Sequence, residues 1–315
     1  MQISTFVITG ILAASTIVAQ SPKESEHTHE AFSHHADNRM SPQQFQALPR
    51  QPADFSLFYG TDKNQFGELR LPLGPGPHPL AVLIHGGCWN ADFATLNDLG
   101  PIADALKAEG IATWNIEYRR LSQPGSGWPG TYLDVGKAID FVRTIAADKK
   151  LDLNRVIVIG HSAGGHLAMW AVARSRLPSD SELYVRDPLP LRGVVSLAGA
   201  GDMEAYIQTE QRACGDKVAE KMLGGKPSDV PRRYSQVSAI KMLPLGVPQV
   251  LVWGQSDDYV PIEFGEKYMK AAKKAGDQVR LVSFPGAGHF EIASPLSATW
   301  PTVSNEILSL LGDKQ

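Results

Sequence analysis

Residues 156–165, VIVIGHSAGG, constrain the fold of this chain more than any other segment. Residues 156–159 are apolar and β-branched, as in a buried strand of a parallel sheet, and residues 166–171 show a helical pattern. Gly160-x-Ser162-x-Gly164 stands between them and occurs only once. On such a sharp turn the glycines avoid Cβ collisions, and the helix that follows directs its free amides at the serine. We therefore predict that Ser162 is a nucleophile.

Length and composition are those of a globular protein with one α/β domain. The chain has 315 residues, of which 43% are hydrophobic and 20% are charged. Because the formal net charge is only −3, there is no basic footprint, and we expect no nucleic-acid partner. Cys88 and Cys214 are too few for a disulfide framework. We expect two unpaired thiols, with a single bridge as the alternative, and the oligomeric state stays open.

The N-terminal region predicts export. Residues 6–19 are apolar, too short to span a bilayer and long enough for a signal peptide, although residues 1–5 contain no Lys or Arg. We predict a signal peptide over residues 1–20 and no stable membrane span after processing, with a retained N-terminal anchor as the alternative. Residues 21–52 are polar and predict a disordered leader. Nothing near its four histidines would fix their geometry, so we expect no metal there.

The rest of the chain alternates strands with helices. The predicted strands are residues 55–59, 66–71, 80–84, 111–116, 156–159, 193–197, 249–253 and 279–284. The predicted helices are residues 96–109, 132–147, 166–171, 264–275 and 301–311. This alternation predicts an α/β fold with a doubly wound, mostly parallel sheet over residues 53–315. It lapses over residues 198–245, where we expect a small cap insertion.

A second glycine motif, HGGCW at residues 85–89, follows the predicted strand at 80–84. Its glycines would let the backbone come close to a substrate oxygen, which makes its amides candidate oxyanion donors. A glycine turn without a chemical role is the alternative. The candidate aromatic residues of a pocket are Trp89, Trp128 and Tyr206, each with plain packing as its alternative.

The candidate acids and bases follow later strands. His289, in GAGHF at residues 286–290, is the only histidine after the last plausible acid. Asp257 and Asp258 follow the strand at 249–253 and compete for the role of the acid, while Asp202 follows an earlier strand. The histidines that precede these carboxylates are expected to fix loops or line the serine turn: His85, His161 and His166.

With these motifs the chain resembles the serine α/β-hydrolases of the carboxylesterase and lipase group, near the hormone-sensitive-lipase, feruloyl-esterase-like and kynurenine formamidase-like branches. The resemblance covers about residues 55–311, and its motifs are HGGCW at 85, EYRR at 117, GHSAGG at 160, GQSDDYVP at 254 and GAGHFE at 286. Cys88 stands where hormone-sensitive-lipase-type esterases have a third glycine. The Gly-Gly-x-Trp form is closer to the formamidase-like branch.

The resemblance implies the α/β-hydrolase fold and a catalytic triad in the chain order serine, acid, histidine. The family places the acid three residues before Val-Pro, so the implied triad is Ser162, Asp257 and His289. The implied oxyanion donors are the amides of Gly87, Cys88 and Ala163. Also implied is hydrolysis of a small carboxylic ester through an acyl-enzyme, without metal or organic cofactor. The alternatives are an arylformamidase-type amide hydrolase, a peptidase and a non-catalytic binding module of the same fold.

Overall fold

Eight strands form one mostly parallel sheet in the structure, a computed structural model that describes residues 1–2 and 39–312. The strands are β1 Phe55–Phe58, β2 Phe66–Arg70, β3 His78–Ile84, β4 Ala112–Ile116, β5 Leu151–His161, β6 Gly193–Leu197, β7 Gln249–Gly254 and β8 Val279–Phe284. Their order across the sheet is β1-β2-β4-β3-β5-β6-β7-β8. Strand β2 is antiparallel to β1 and β4, and all other neighbours are parallel. The predicted fold class is confirmed.

Helices flank this sheet. They are α1 Pro42–Gln46, α2 Gly100–Ala108, α3 Gly130–Asp140, α4 Val142–Lys149, α5 Ala163–Ala173, α6 Met203–Tyr206, α7 Val218–Leu223, α8 Pro231–Val237, α9 Glu263–Lys274 and α10 Trp300–Leu311. Every residue of β3, β6 and β7 is buried, as expected for strands that are covered on both faces. Because β3 to β8 all run parallel, their carboxyl ends lie at one edge of the sheet, where the loops that follow them can form a site.

Several predicted elements differ in extent, among them strand β5 and the helix predicted over residues 132–147. Strand β5 begins at Leu151, before the apolar run, because Leu151 pairs with His78 of β3 and main-chain pairing does not need apolar side chains. The helix predicted over 132–147 is present as α3 and α4, with Phe141 alone between them. The segment predicted as a cap holds the short helices α6, α7 and α8, and two single turns of 3₁₀-helix lie at Glu210–Arg212 and Ala239–Lys241.

The prediction of a disordered leader is wrong for residues 39–52. Ser41 caps α1, and its side chain accepts the amide of Gln44 while the Gln44 side chain accepts the amide of Ser41. The carbonyl of Gln51 accepts the buried Arg70 guanidinium at 2.9 Å. Polar composition hid this order, since a single buried side chain, Phe45, anchors the helix to the body of the protein.

Residues 3–38, which contain most of the predicted signal peptide and leader, lie outside the described part of the chain. The division into signal peptide, leader and hydrolase domain stays a prediction. Among residues 1–2 and 39–312, no helix has the length and hydropathy needed to cross a membrane.

Candidate active site

Ser162 occupies the turn between β5 and α5, with φ 55° and ψ −121°, angles that a residue with a Cβ rarely adopts. Its amide donates to the carbonyl of Leu197 at 2.8 Å, which ties the turn to β6. A Cβ on Gly160 would lie 2.0 Å from the carbonyl oxygen of Gly164, and one on Gly164 would lie 1.9 Å from that of Ile84. Both glycines are therefore required, and the turn presents a half-buried Ser162 where the central strands end.

Asp257 and His289 form a buried pair. Nδ1 of His289 lies 2.7 Å from Oδ2 of Asp257. The amides of Tyr259 and Val260 donate to Oδ1 of the same carboxylate at 2.8 and 2.9 Å, which fixes its orientation. The Tyr259 ring stacks on the imidazole with a centroid distance of 4.9 Å. Because a carboxylate accepts, Nδ1 carries the proton, and in the neutral ring Nε2 is left as the base.

His161 packs against this pair without adding charge. Its ring centroid lies 4.6 Å from that of His289, and its Nε2 donates to the His289 carbonyl at 2.9 Å. Burial holds the pKa of His161 well below its ordinary value, and the neighbouring His289 acts in the same direction. Nε2 of His166 donates to the Val237 carbonyl at 3.1 Å, and burial lowers the pKa of His166 to about 4. His161 thus lies beside the serine turn, and His166 connects α5 to the segment that contains Val237.

The alternative acids lie elsewhere. Asp258 pairs with Arg39 at 2.9 Å, and its side chain is 54% exposed. Asp202 caps α6 through the amide of Ala205 and pairs with Lys267 at 2.8 Å. Of the three candidates, Asp257 is the carboxylate in contact with His289.

The HGGCW loop lies directly beside the serine. A Cβ on Gly86 would lie 2.8 Å from the His161 carbonyl oxygen and 3.0 Å from Cβ of Ser162. The next three residues all have positive φ: 90° at Gly87, 54° at Cys88 and 53° at Trp89. Such a run of left-handed residues costs free energy and needs support from its surroundings.

Part of that support comes from the EYRR motif. Each ring nitrogen of His85 faces an oxygen at 2.9 Å, Nδ1 the Gly86 carbonyl and Nε2 the carboxylate of Glu117. The Tyr118 hydroxyl donates to the His85 carbonyl at 2.8 Å. Burial disfavours the charged form of Glu117, but His85 and Arg120 outweigh it and lower the pKa of the Glu117 carboxyl. The EYRR motif is recognisable in the sequence, but its contact with His85 is not, because no spacing relates residues 85 and 117.

The other support is covalent. Cys88 and Cys214 form a disulfide, with their Cα atoms 5.4 Å apart. The expectation of two unpaired thiols is therefore wrong. A separation of 126 residues carries no pairing signal, and only the fold brings the cap segment over the loop. The Tyr206 hydroxyl lies 2.9 Å from Sγ of Cys214.

Ser162 and His289 open onto the same cavity of about 550 Å³. Its other lining residues come from the HGGCW loop and the segment 90–98 after it, the end of β5, the cap, the acid loop (residues 254–261), the histidine loop (residues 286–291) and, unexpectedly, α1. They are Pro42, Gln43, Phe45, Gln46, Gly86, Gly87, Cys88, Asn90, Asp92, Phe93, Ala94, Asp98, His161, Ala213, Tyr259 and Phe290. A second depression of about 750 Å³, near Arg155 and Ser304, is more open and lies at the edge where the strands begin. Only the first contains the nucleophile candidate.

The predicted pocket aromatics do not line this cavity. Trp89 and Tyr206 are buried in the core, and Trp128 donates to Glu182 at the surface. The aromatic residues that do line it are Phe45, Phe93, Tyr259 and Phe290. In the described ranges, no three His, Cys, Asp or Glu side chains are placed as metal ligands would be.

The curated proteins that are similar to this chain include several esterases, an uncharacterized peptidase and an acylamino-acid-releasing enzyme. The chain is 28% identical to Esterase LipC of Mycobacterium tuberculosis over 74% of this chain and 58% of that protein. It is 23% identical to the probable isoprenylcysteine alpha-carbonyl methylesterase ICME of Oryza sativa over 81% of this chain and 63% of that one. The chain thus spans about three fifths of the length of these relatives.

Solved structures share the fold. Esterase B from Lactobacillus rhamnosus superposes with a TM-score of 0.70, at 22% identity over 86% of this chain and 89% of that one. A truncated carbohydrate esterase from gut microbiota superposes with a TM-score of 0.69, at 20% identity over 84% of this chain and all of that one.

The family assignment comes from the BD-FAE family profile, which matches residues 71–271. This range covers more than half of the chain and includes the HGGCW loop, the serine turn and Asp257. The chain belongs to the BD-FAE family, within the carboxylesterase and lipase group of α/β-hydrolases that its motifs resemble.

Proposed function

We propose that the protein is a serine carboxylic ester hydrolase that cleaves a small ester through an acyl-enzyme on Ser162. The observation that carries the proposal is the Asp257–His289 pair at 2.7 Å, which shares one cavity with a serine on a strained strand-to-helix turn. The esterase names of its relatives support the same reaction class.

In this mechanism Ser162 attacks the carbonyl carbon while Nε2 of His289 takes its proton. Asp257 holds the imidazole tautomer and stabilises the imidazolium that forms. Collapse of the tetrahedral intermediate expels the alcohol, which receives the proton from His289. Water, deprotonated by His289, then attacks the acyl-enzyme and releases the acid and Ser162. All of these steps use the protein's own side chains.

The oxyanion that forms twice in this cycle needs fixed donors. The amides of Gly87, Cys88 and Ala163 are our candidates, because Gly87 and Cys88 line the cavity and Ala163 follows Ser162 directly. The hydrogen bonds of His85 and Tyr118 and the disulfide at Cys88 support this main chain in its left-handed conformation. The loop is thus built before substrate arrives, as electrostatic preorganisation requires.

The role of Ser162 as the nucleophile is tested by substituting it and by labelling the protein with a fluorophosphonate. Ser162→Ala should abolish hydrolysis of p-nitrophenyl acetate, since loss of the serine in another triad hydrolase costs on the order of a million-fold in turnover. A fluorophosphonate should add one adduct to wild type, on the peptide that contains Ser162, and none to the variant. A folded variant that keeps a tenth of the wild-type activity would refute the proposal.

An arylformamidase-type amide hydrolase is the second candidate, favoured by the Gly-Gly-Cys-Trp form of the loop at residues 86–89. A substrate panel decides between the two: p-nitrophenyl esters, acetylated sugars, feruloyl esters and N-formylkynurenine. A kcat/KM for N-formylkynurenine that exceeds every ester would select the amide hydrolase.

Export is part of the proposal. Disulfides persist in oxidising compartments and are rare in the cytosol, so the Cys88–Cys214 bridge supports the signal peptide predicted from the sequence. Expression of the full chain with detection of a shortened N-terminus outside the cytoplasm tests it.

A further inference from the structure

One wall of the cavity lies outside the family match. Residues 39–46, which we call the N-terminal strap, precede the matched range of 71–271 and cross the loops around the candidate triad. Three residues of the strap are exposed and four are half-buried, whereas Phe45 is only 2% exposed. The strap is therefore held by specific contacts and not by a broad apolar face.

The first contacts are with the acid loop. The Arg39 guanidinium pairs with Asp258 at 2.9 Å and donates to the carbonyl of Ser256. Ser256 and Asp258 flank Asp257. Arg39 thus joins the start of the strap to the loop that carries the candidate acid.

The second contacts are with the histidine loop, residues 286–291, which contains His289. The amide of Met40 donates to the carboxylate of Glu291, and the other oxygen of that carboxylate accepts the Gly288 amide at 3.0 Å. Gly288 precedes His289 directly. Through Glu291 the strap is therefore connected to the backbone that positions the imidazole.

The end of the strap faces the cavity. The Phe45 ring lies 5.2 Å from that of Phe290 and 5.5 Å from that of His161, between centroids. Nε2 of Gln46 donates to the carbonyl of Phe93 at 2.5 Å, so the strap also contacts the lining segment that follows the HGGCW loop. Phe45 therefore closes the cavity on the side where His289 lies.

We propose that the N-terminal strap forms the wall around the leaving alcohol and that Phe45 limits the size of that alcohol. The inference rests on the proposed function, in which His289 returns its proton to the leaving oxygen. The leaving group must then sit within hydrogen-bond reach of Nε2, and the strap packs against the neighbours of this ring. The described residues lining the cavity include the carboxylates Asp92 and Asp98 and no Lys or Arg, so uncharged alcohols are used as probes that these charges neither attract nor repel.

The test varies the alcohol and keeps the acyl group constant. Hydrolysis of ethyl acetate and of 2-naphthyl acetate is followed in a pH-stat, and the ratio of their kcat/KM values is compared between variants. Phe45→Ala should raise the naphthyl-to-ethyl ratio by about tenfold or more, because small changes in an apolar pocket already shift discrimination by 10–200-fold. Phe45→Leu, a milder change that keeps the core contact, should raise it less.

Leu48→Ala is the matched control, since Leu48 packs on the same core but does not line this cavity. Its ratio should equal that of wild type. Arg39→Ala should move the ratio in the same direction as Phe45→Ala by loosening the strap, and Arg39→Lys should restore it by keeping the charge opposite Asp258. A general loss of stability would lower both rates and leave the ratio unchanged.

A ratio that stays within twofold of wild type in folded Phe45→Ala, or that falls, overturns the inference while ester hydrolysis stands. If wild type hydrolyses neither acetate, the proposed function fails and the inference fails with it.

Discussion

The disulfide between Cys88 and Cys214 makes a strong prediction about stability. The bridge closes a chain segment with a sequence separation of 126 residues. In the chain-entropy description, closing such a loop removes about 5 kcal/mol of entropic free energy from the unfolded state. Native disulfides typically contribute 2–5 kcal/mol, and whole domains are stable by roughly 5–15 kcal/mol. Loss of this one bond should therefore remove a large fraction of the free energy of unfolding.

We expect Cys214→Ala to lower the free energy of unfolding by about 2–5 kcal/mol. Cys214 is the better site to change, because Cys88 lines the cavity and has a φ of 54°. The assay is urea unfolding without reductant, for wild type and for the variant. Wild type measured with dithiothreitol should match the variant, and the variant should not respond to dithiothreitol.

The bridge itself is checked by thiol titration of unfolded, unreduced protein, which should find no reactive thiol in wild type and one in the variant. Two thiols in wild type would refute the bond. A difference in unfolding free energy below about 1 kcal/mol, with the bond present, would refute the magnitude argued from loop closure.

Three further predictions concern the site. Asp257→Asn should lower kcat roughly ten-thousand-fold and Asp258→Asn far less, because only the former carboxylate contacts His289; the opposite ranking would exchange their roles. Cys88→Pro should have a kcat roughly a hundred- to a thousand-fold below that of Cys88→Ala, because both variants lose the disulfide and only proline removes an oxyanion donor. His166 has a folded pKa of about 4 against 6.5 unfolded, so the unfolded state binds more protons between these values and stability falls as pH drops from 6.5 to 4. Urea midpoints at pH 7 and pH 5 should differ less in His166→Gln than in wild type, and an equal difference would contradict the assignment.

Local sequence patterns were sufficient to predict the central strands and the turn at Ser162. Continuous apolar runs rich in β-branched residues predicted the central strands. A strand that is buried on both faces does not alternate polar with apolar side chains. The glycines around Ser162 could be interpreted from the sequence alone because their reason is local: a tight turn tolerates no Cβ two residues away on either side. The order of the motifs along the chain then predicted which strand ends would meet.

Tertiary structure decided what depends on long-range contacts. Asp257 and Asp258 have equivalent chemistry, and in the sequence only the resemblance to the family favoured Asp257. The tertiary structure supplies the physical reason, since it directs one side chain to His289 and the other to Arg39. The polar strap was missed because its order depends on contacts with residues more than 200 positions away, and the disulfide because Cys88 and Cys214 lie 126 positions apart. Periodicity reports how a segment buries its own side chains; it carries no information about which distant segment will cover it.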